Sequence, residues 1–509
     1  MNNSVRGNRL PIGTVLEGKE LGSFLLAGIE AKEHGIIAHV SQFDGQDLFG
    51  KWQKLIRCIE EFINLRFELT PQEWHLLERC DIDILQNKHD FQLVIKMVSD
   101  KYGTDVAERI KRIVIMYYGM KSAYRVSNVP GMDFRNIAEA ISFCQSRRLY
   151  YVAYLSLIRL YAKGSQRVPF MKLLFHFQYQ IDMNMASITT GLHAVMGSRC
   201  LEGYYAVSTE LGLQFNIQYN QLEDFFLEPH VMSEVDIIEH ENDDSYKDAS
   251  SCIQRKLYSY SELEYSVKQA ESIYKGYGIA GSRTLQEIKV LVQSLKDKFV
   301  EDYSVTLSET EFGDLVASCH HLNLCSDAID YYGAINERPA FFPNNGSYYS
   351  TVFLLVRFVE NTVYGLLRKN MRYRIKAGFV FEKKITTLLE QYGFESTKVK
   401  RIRKQEFDVI CHKKGKAYNF QCKNNYLDIN TLSPDNIDKV SRQNKRLTNY
   451  YLKALDKEDA RIQLIKEYFK TDEVENYVIS RFPIMMNHER LITFNRLEEH
   501  LKKTIDKEV

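Results

Sequence analysis

The sequence predicts a large, mainly α-helical N-terminal region followed by an α/β unit in which a mixed sheet is flanked by helices. Three observations point there. Only nine of the 509 residues are proline, while 45% are apolar and 12% aromatic, which favours packed helices and excludes wholesale disorder. Apolar residues recur at helical spacing through most of the first 360 positions. Beyond about residue 366 the pattern becomes helix, three strands, two helices, strand, helix.

At ~100–200 residues per domain the length suggests two to four domains. The expected division is 1–240, mainly helical with a short strand-rich start; 241–345, a helical middle region; and 346–509, the α/β unit. Residues 11–48 are punctuated by glycine and partly strand-like, as in Gly35-Ile36-Ile37-Ala38-His39-Val40. Helices are expected near 52–67, 71–87, 92–121, 134–163, 262–276, 283–300 and 308–324. Thr70-Pro71-Gln72-Glu73, Ser261-x-x-Glu264 and Ser308-x-x-Glu311 have the order of helix-capping boxes. Acidic residues crowd Ser233 to Ser251, as in an exposed linker, and Asn336 to Ser350 carries the turn residues of a junction. The C-terminal unit reads as helix 366–392, strand 396–403, a hairpin of 405–412 and 417–424, helices 434–455 and 459–470, strand 476–483 and helix 494–503. Ser433-Pro434 suits a helix start.

Charge is divided unevenly. Residues 365–509 hold 31 Lys+Arg against 20 Asp+Glu, whereas the remainder holds 36 against 46. A basic unit on an acidic body suggests that the C-terminal part meets a polyanion; a solvated basic surface is the plain alternative. The nine cysteines show no framework spacing, which with the absence of a charged-then-apolar leader suggests a cytoplasmic protein with reduced thiols. Thr351 to Leu367 contains Arg357 and Glu360 and is too short to span a bilayer, so no membrane is expected.

The chemistry-bearing residues lie in three pieces: Gly378-Phe379-Val380-Phe381-Glu382, Phe407-Asp408-Val409-Ile410 and Phe420-Gln421-Cys422-Lys423. At 100° per residue, Ile375, Phe379, Phe381, Ile385, Leu388, Leu389 and Tyr392 fill one arc of the first helix, and Glu382 falls inside it. A carboxylate aimed at a core needs a partner, which is either a metal or a neighbouring lysine. A two-residue turn at Lys414-Gly415 would set Lys413 opposite Lys416 and Asp408 opposite Gln421. Alternation then puts Phe407, Val409 and Cys411 on one face, and Asp408, Gln421 and Lys423 on the other. Mg²⁺, or Mn²⁺ in its place, takes oxygen ligands. Asp408 would be the main ligand, with Glu382, Gln421 and the Cys422 carbonyl beside it, and Lys423 would act on water and phosphate.

These segments resemble the PD-(D/E)xK nuclease superfamily, most nearly its Mrr-type (type IV restriction) endonuclease domains, over roughly residues 366–485. In that subgroup Gln-x-Lys commonly replaces acid-x-Lys, as at Gln421-Cys422-Lys423; the leading proline is absent, since Glu406-Phe407 precede Asp408. The resemblance implies a restriction-endonuclease-like fold and Mg²⁺-dependent endonuclease cleavage of DNA, with Glu382, Asp408, Gln421 and Lys423 as site residues. Joining such a domain to a helical body suits prokaryotic, antiviral defence by analogy. That body would serve as sensor, substrate reader, protein-partner surface or homo-oligomer contact. Alternatives are RNA as substrate, or a non-catalytic DNA-binding or assembly role. Arg401, Arg403, Lys404, Lys414, Lys416, Lys439, Arg442 and Arg446 are the expected DNA contacts, although any single one is an ordinary surface charge by default.

Cys319-His320-His321 through Cys325 lacks a second ligand pair and reads as packing in an apolar helix. No phosphate-binding or dinucleotide glycine motif is present, and paired tyrosines such as Tyr150-Tyr151 are expected at helix interfaces.

Overall fold

The computed structural model describes residues 10–64, 70–72, 75, 88–127, 137–169, 172–217, 258–322, 332, 339–427 and 432–506. The expected acidic linker, the 240/241 boundary and most of 71–87 lie outside them. The described chain is mostly helical, with a mixed five-stranded sheet near the C-terminus flanked by helices.

The N-terminal body comprises β1 (Val15–Glu17), α1 (Gly18–Val40), α2 (Gly45–Ile63), α3 (Lys88–Tyr102), α4 (Thr104–Ser127), α5 (Ile137–Ser146), α6 (Arg148–Tyr161) and α7 (Leu173–Phe177). A π-helical segment, Gln178–Met185, joins α7 to α8 (Ala186–Cys200), and β2 (Tyr205–Thr209) and β3 (Gly212–Phe215) complete a small antiparallel sheet with β1. The strand-like reading of Gly35 to Val40 is corrected: this is the last part of α1. Its β-branched residues favour strand locally, but Ile29, Ile36 and Val40 bury one helical row and α1 packs along α8, so tertiary contact decides. The expected helix at 92–121 is two helices hinged at Gly103, whose φ of 95° few other residues adopt. The one at 134–163 likewise breaks at Arg147. Tyr150, Tyr151 and Tyr204 are buried.

The middle unit comprises α9 (Tyr260–Gly276), α10 (Arg283–Leu295), β4 (Ser304–Ser308), α11 (Glu309–Ser318), β5 (Phe342–Asn344), β6 (Ser347–Thr351) and α12 (Val352–Leu367). Ser308 and Glu311 form the expected capping box, whereas Ser261 lies inside α9, whose cap position is Ser259. The junction expected at 345/346 falls in the turn of the β5–β6 hairpin, where Asn345 and Gly346 have φ of 48° and 75°. Leu355, Phe358, Val359, Val363 and Leu367 of α12 pack into the core of this middle unit. Tyr373, on the next helix that Asn370 caps, packs into this same core, and from Phe381 onward the buried side chains belong to the core of the C-terminal sheet. No helix among the described residues is long and apolar enough to cross a membrane.

The C-terminal unit runs α13 (Met371–Gln391), β7 (Glu395–Ser396), β8 (Arg401–Ile402), β9 (Gln405–Glu406), β10 (Val409–Lys413), β11 (Lys416–Lys423), α14 (Ile437–Asp459), α15 (Ile462–Phe469), β12 (Val474–Ser480), β13 (Leu491–Thr493) and α16 (Phe494–Asp506). The main sheet has the order β13-β12-β11-β10-β7, with β11, β12 and β13 parallel and β7, β10 and β11 antiparallel. Phe381, Ile385 and Leu389 of α13, with Leu497 and Leu501 of α16, cover Val409, Cys411, Tyr418 and Phe420 on one face. Tyr451 and Leu455 of α14 pack on Val478, and Ile465 of α15 packs on Ile410 and Ala417, across the other. The strand expected at 396–403 is instead the short β7 and the separate β8–β9 hairpin, and β13 has no sequence forecast. Fully burying a large apolar side chain is worth about 1.5–3 kcal/mol, so these clusters hold the sheet between its helices.

Candidate active site

The hairpin sets the geometry. Lys414 and Gly415 have φ of 49° and 78°, the two left-handed positions of a primed two-residue turn. The register runs from Lys413 opposite Lys416 to Val409 opposite Phe420. Asp408 sits in a bend just before β10, and β11 continues past it. Its Oδ2 accepts the Cys422 backbone N–H at 2.7 Å and also the Gln421 side-chain amide. Phe407, expected on the Val409 face, packs instead with Ile410 and Ala417. The bend interrupts strand alternation one residue before the ladder begins, which reverses that side chain.

Glu382 reaches the same place from α13. Its Oε2 accepts from Lys400 Nζ at 2.7 Å, and Lys400 also donates to the Asp408 carbonyl. Gly378 lets α13 approach the end of β11, because a Cβ there would stand 3.4 Å from the Asn424 amide nitrogen. The helix is rotated from the expected arc: Tyr373, Ala377, Phe381, Ile385 and Leu389 form the buried row, while Ile375 and Phe379 are exposed. Glu382 therefore lies at the margin of the packed face, with its side chain 17% exposed, and not within the core.

Burial raises the Asp408 carboxyl above its ordinary range, despite the Cys422 N–H, Lys423 and Lys400 that oppose the shift. Burial likewise raises Glu382, opposed by Lys400 and reinforced by the Asp408 charge. Lys423 is pushed down by burial, with Asp408 and Glu458 pulling the other way. Its Nζ stands 5.6 Å from the ring centre of Tyr450 on α14. The backbone N–H of Arg481 holds the Lys423 carbonyl at 2.9 Å, fixing the strand at the site.

The donor set fits a hard divalent cation. Two carboxyls, an amide and a backbone carbonyl supply oxygen only, and burial holds both carboxyls above their ordinary pKa despite the lysines beside them. Asp408 Oδ1, Glu382, Gln421 Oε1 and the Cys422 carbonyl would hold it. Among the described residues no group of three or more His, Cys, Asp or Glu side chains is placed to hold a metal, and this site has two such side chains, Asp408 and Glu382. His320 pairs with Glu287 at 3.2 Å and His321 with Thr284 at 2.8 Å, beyond the end of α11 and not within a helix as expected. Cys325 lies outside the described residues.

The expected DNA contacts separate into three groups. Lys439, Arg442 and Arg446 are exposed along one row of α14 that ends at Tyr450, beside Lys423. Lys414 and Lys416 sit at the hairpin tip, five strand positions or about 17 Å from Asp408. Lys416 is paired with Glu475 at 2.5 Å, Arg401 with Glu406, and Arg403 with Glu467 at 2.8 Å. Arg403 and Lys404 form the β8–β9 turn, with φ of 43° and 68°. Sequence reasoning missed Tyr450 and the bridging role of Lys400; the latter had only its place in a basic run as a signal.

Comparison with known protein families, curated proteins and solved structures finds no match for this chain.

Proposed function

We propose that the protein is a metal-dependent endonuclease that hydrolyses DNA phosphodiester bonds, with a restriction-endonuclease-like C-terminal domain. One observation carries this reading. At the open end of the β10–β11 hairpin, Asp408 is clamped by Gln421 and the Cys422 N–H, with Lys423 next along β11 and Glu382 joined through Lys400.

A bound Mg²⁺ would supply Lewis-acid stabilisation of charge developing on a phosphate oxygen. The protein's own groups do the rest. The Cys422 N–H and the Gln421 amide fix the Asp408 carboxylate, so it needs no rearrangement as the reaction proceeds. Lys423, with its lowered pKa, is poised to take a proton from the attacking water and to stabilise phosphate charge. The α14 row of Lys439, Arg442 and Arg446 would hold the backbone without reading sequence. The helical body would be a sensor, partner or substrate-reading module in defence against foreign DNA.

The test is incubation of supercoiled and linear DNA with the protein in Mg²⁺, Mn²⁺ or EDTA, beside Asp408→Ala. Metal-dependent nicking lost in the variant supports the assignment. Cutting that persists unchanged in Asp408→Ala overturns it.

A further inference from the structure

Both helices that carry the site expose an aromatic ring beside it. Phe379, 63% exposed, stands one turn before Glu382 on α13. Tyr450, 50% exposed, lies on α14 against Lys423. Phe379 also ends an exposed apolar row with Met371 and Ile375, at 63% and 54%. An apolar row of this kind beside a polar site marks a binding surface.

The surrounding charge identifies the occupant. Arg372, Arg374 and Lys383 are exposed around the α13 row, and from Met371 to Thr387 Glu382 is the only acid. Lys439, Arg442 and Arg446 lead to Tyr450 on the other side. A second copy laid on this surface would oppose like charges, whereas a polyanion is attracted. Three helical residues rise about 4.5 Å, so a base next to a phosphate drawn to a cation that Glu382 would help hold is within reach of Phe379. In a duplex, base faces are hidden by stacking; only an unpaired nucleotide offers a face to a protein ring.

We infer that Phe379 and Tyr450 stack on unpaired bases flanking the scissile phosphate, so that the substrate is single-stranded DNA or a strand splayed from a duplex. This rests on the nuclease reading above.

The test uses the full chain in EDTA, where no cleavage occurs, with a single-stranded oligonucleotide containing 2-aminopurine and a blunt duplex of the same sequence. Wild type should quench the probe and bind the single strand more tightly than the duplex. Phe379→Ala and Tyr450→Ala should each weaken single-strand binding by roughly 5- to 150-fold, leave duplex binding unchanged, and be rescued by Phe379→Trp and Tyr450→Phe. Equal affinities for the single strand in wild type and both alanine variants would overturn the inference while metal-dependent cutting still supported the nuclease. A dimer that becomes monomeric in Phe379→Ala, by sedimentation, would overturn it in favour of a self-docking row. A wild-type protein that neither binds nor cuts DNA would remove the nuclease reading and the inference together.

Discussion

Two sets of buried charges in this molecule are finished to different degrees. In the N-terminal body, Glu60 of α2 accepts two bonds from Arg148, at 3.1 and 2.8 Å, and one from the Tyr151 hydroxyl. Glu61 is shared between Arg57 at 3.0 Å and Arg109 at 2.9 Å, and Asp182 of the π segment takes Arg147 at 2.6 Å and Tyr124. Burial would depress Arg148, yet the Glu60 carboxylate outweighs it and the guanidinium ends above its ordinary value. These carboxylates are saturated by partners on their own and on neighbouring segments. In the C-terminal unit, Asp408 has two N–H donors on a single oxygen, and Glu382 has one ammonium whose side chain is 55% exposed. Burial raises both acids in pKa, as it also raises Asp182, so the number and placement of partners, and not the pKa, separates the two sets. Charges of the first kind pin helices together; those of the second kind leave oxygen and negative charge available to something that arrives.

Substitution should separate the two kinds. Asp408→Ala and Lys423→Ala should each lower metal-dependent DNA cleavage by roughly 10²–10⁴-fold, with urea midpoints close to wild type. Gel assays beside urea melts check this, and a variant that unfolds would place the site in the pinned class. Arg148→Ala should do the opposite. Stranding buried Glu60 should cost about 3–5 kcal/mol in urea unfolding, while cleavage per folded molecule stays at the wild-type level.

The unsaturated acids also predict linkage to metal and pH. At a tenfold excess over its Kd, Mg²⁺ should stabilise the fold by about 1.4 kcal/mol. Because the folded-state pKa values of Asp408 and Glu382 are raised, the folded protein holds these protons more tightly than the unfolded chain. Their contribution to stability is therefore favourable at low pH and is lost as pH rises from the ordinary carboxylate range through the raised values. Metal stabilisation runs the other way, disappearing as pH falls through the raised values. Thermal melts with and without Mg²⁺ from pH 4 to 8 read both slopes, and Asp408→Asn should flatten each. The smallest effect concerns Lys400. Its largely exposed ammonium competes with metal at Glu382, so Lys400→Met should tighten Mn²⁺ binding by roughly two- to fivefold in a direct titration. Weaker binding would mean that Lys400 orients Glu382 for the metal.

What the sequence determined by itself was local. A two-residue turn with glycine at its second position leaves one antiparallel pairing, so the register from Lys413–Lys416 to Val409–Phe420 was readable from Lys414-Gly415 alone. The Ser308 capping box and the succession of α13, the β10–β11 hairpin, α14, α15, β12 and α16 depend on neighbours in the chain and were equally legible, whereas the β8–β9 hairpin and β13 were not. Tertiary structure decided whatever depends on which surface a segment meets. Gly35 to Val40 became helix because α8 lies beside it. The α13 row of Met371, Ile375 and Phe379 stayed outside because the sheet and the middle unit take the neighbouring row, so helical periodicity found the apolar residues but not their buried side. Lys400 and Tyr450 joined the site from segments whose sequence gives no spacing to it. Side-chain direction in an isolated strand or helix is fixed by backbone geometry, whereas the partner across a gap is fixed only by packing, and the candidate site is assembled across such gaps.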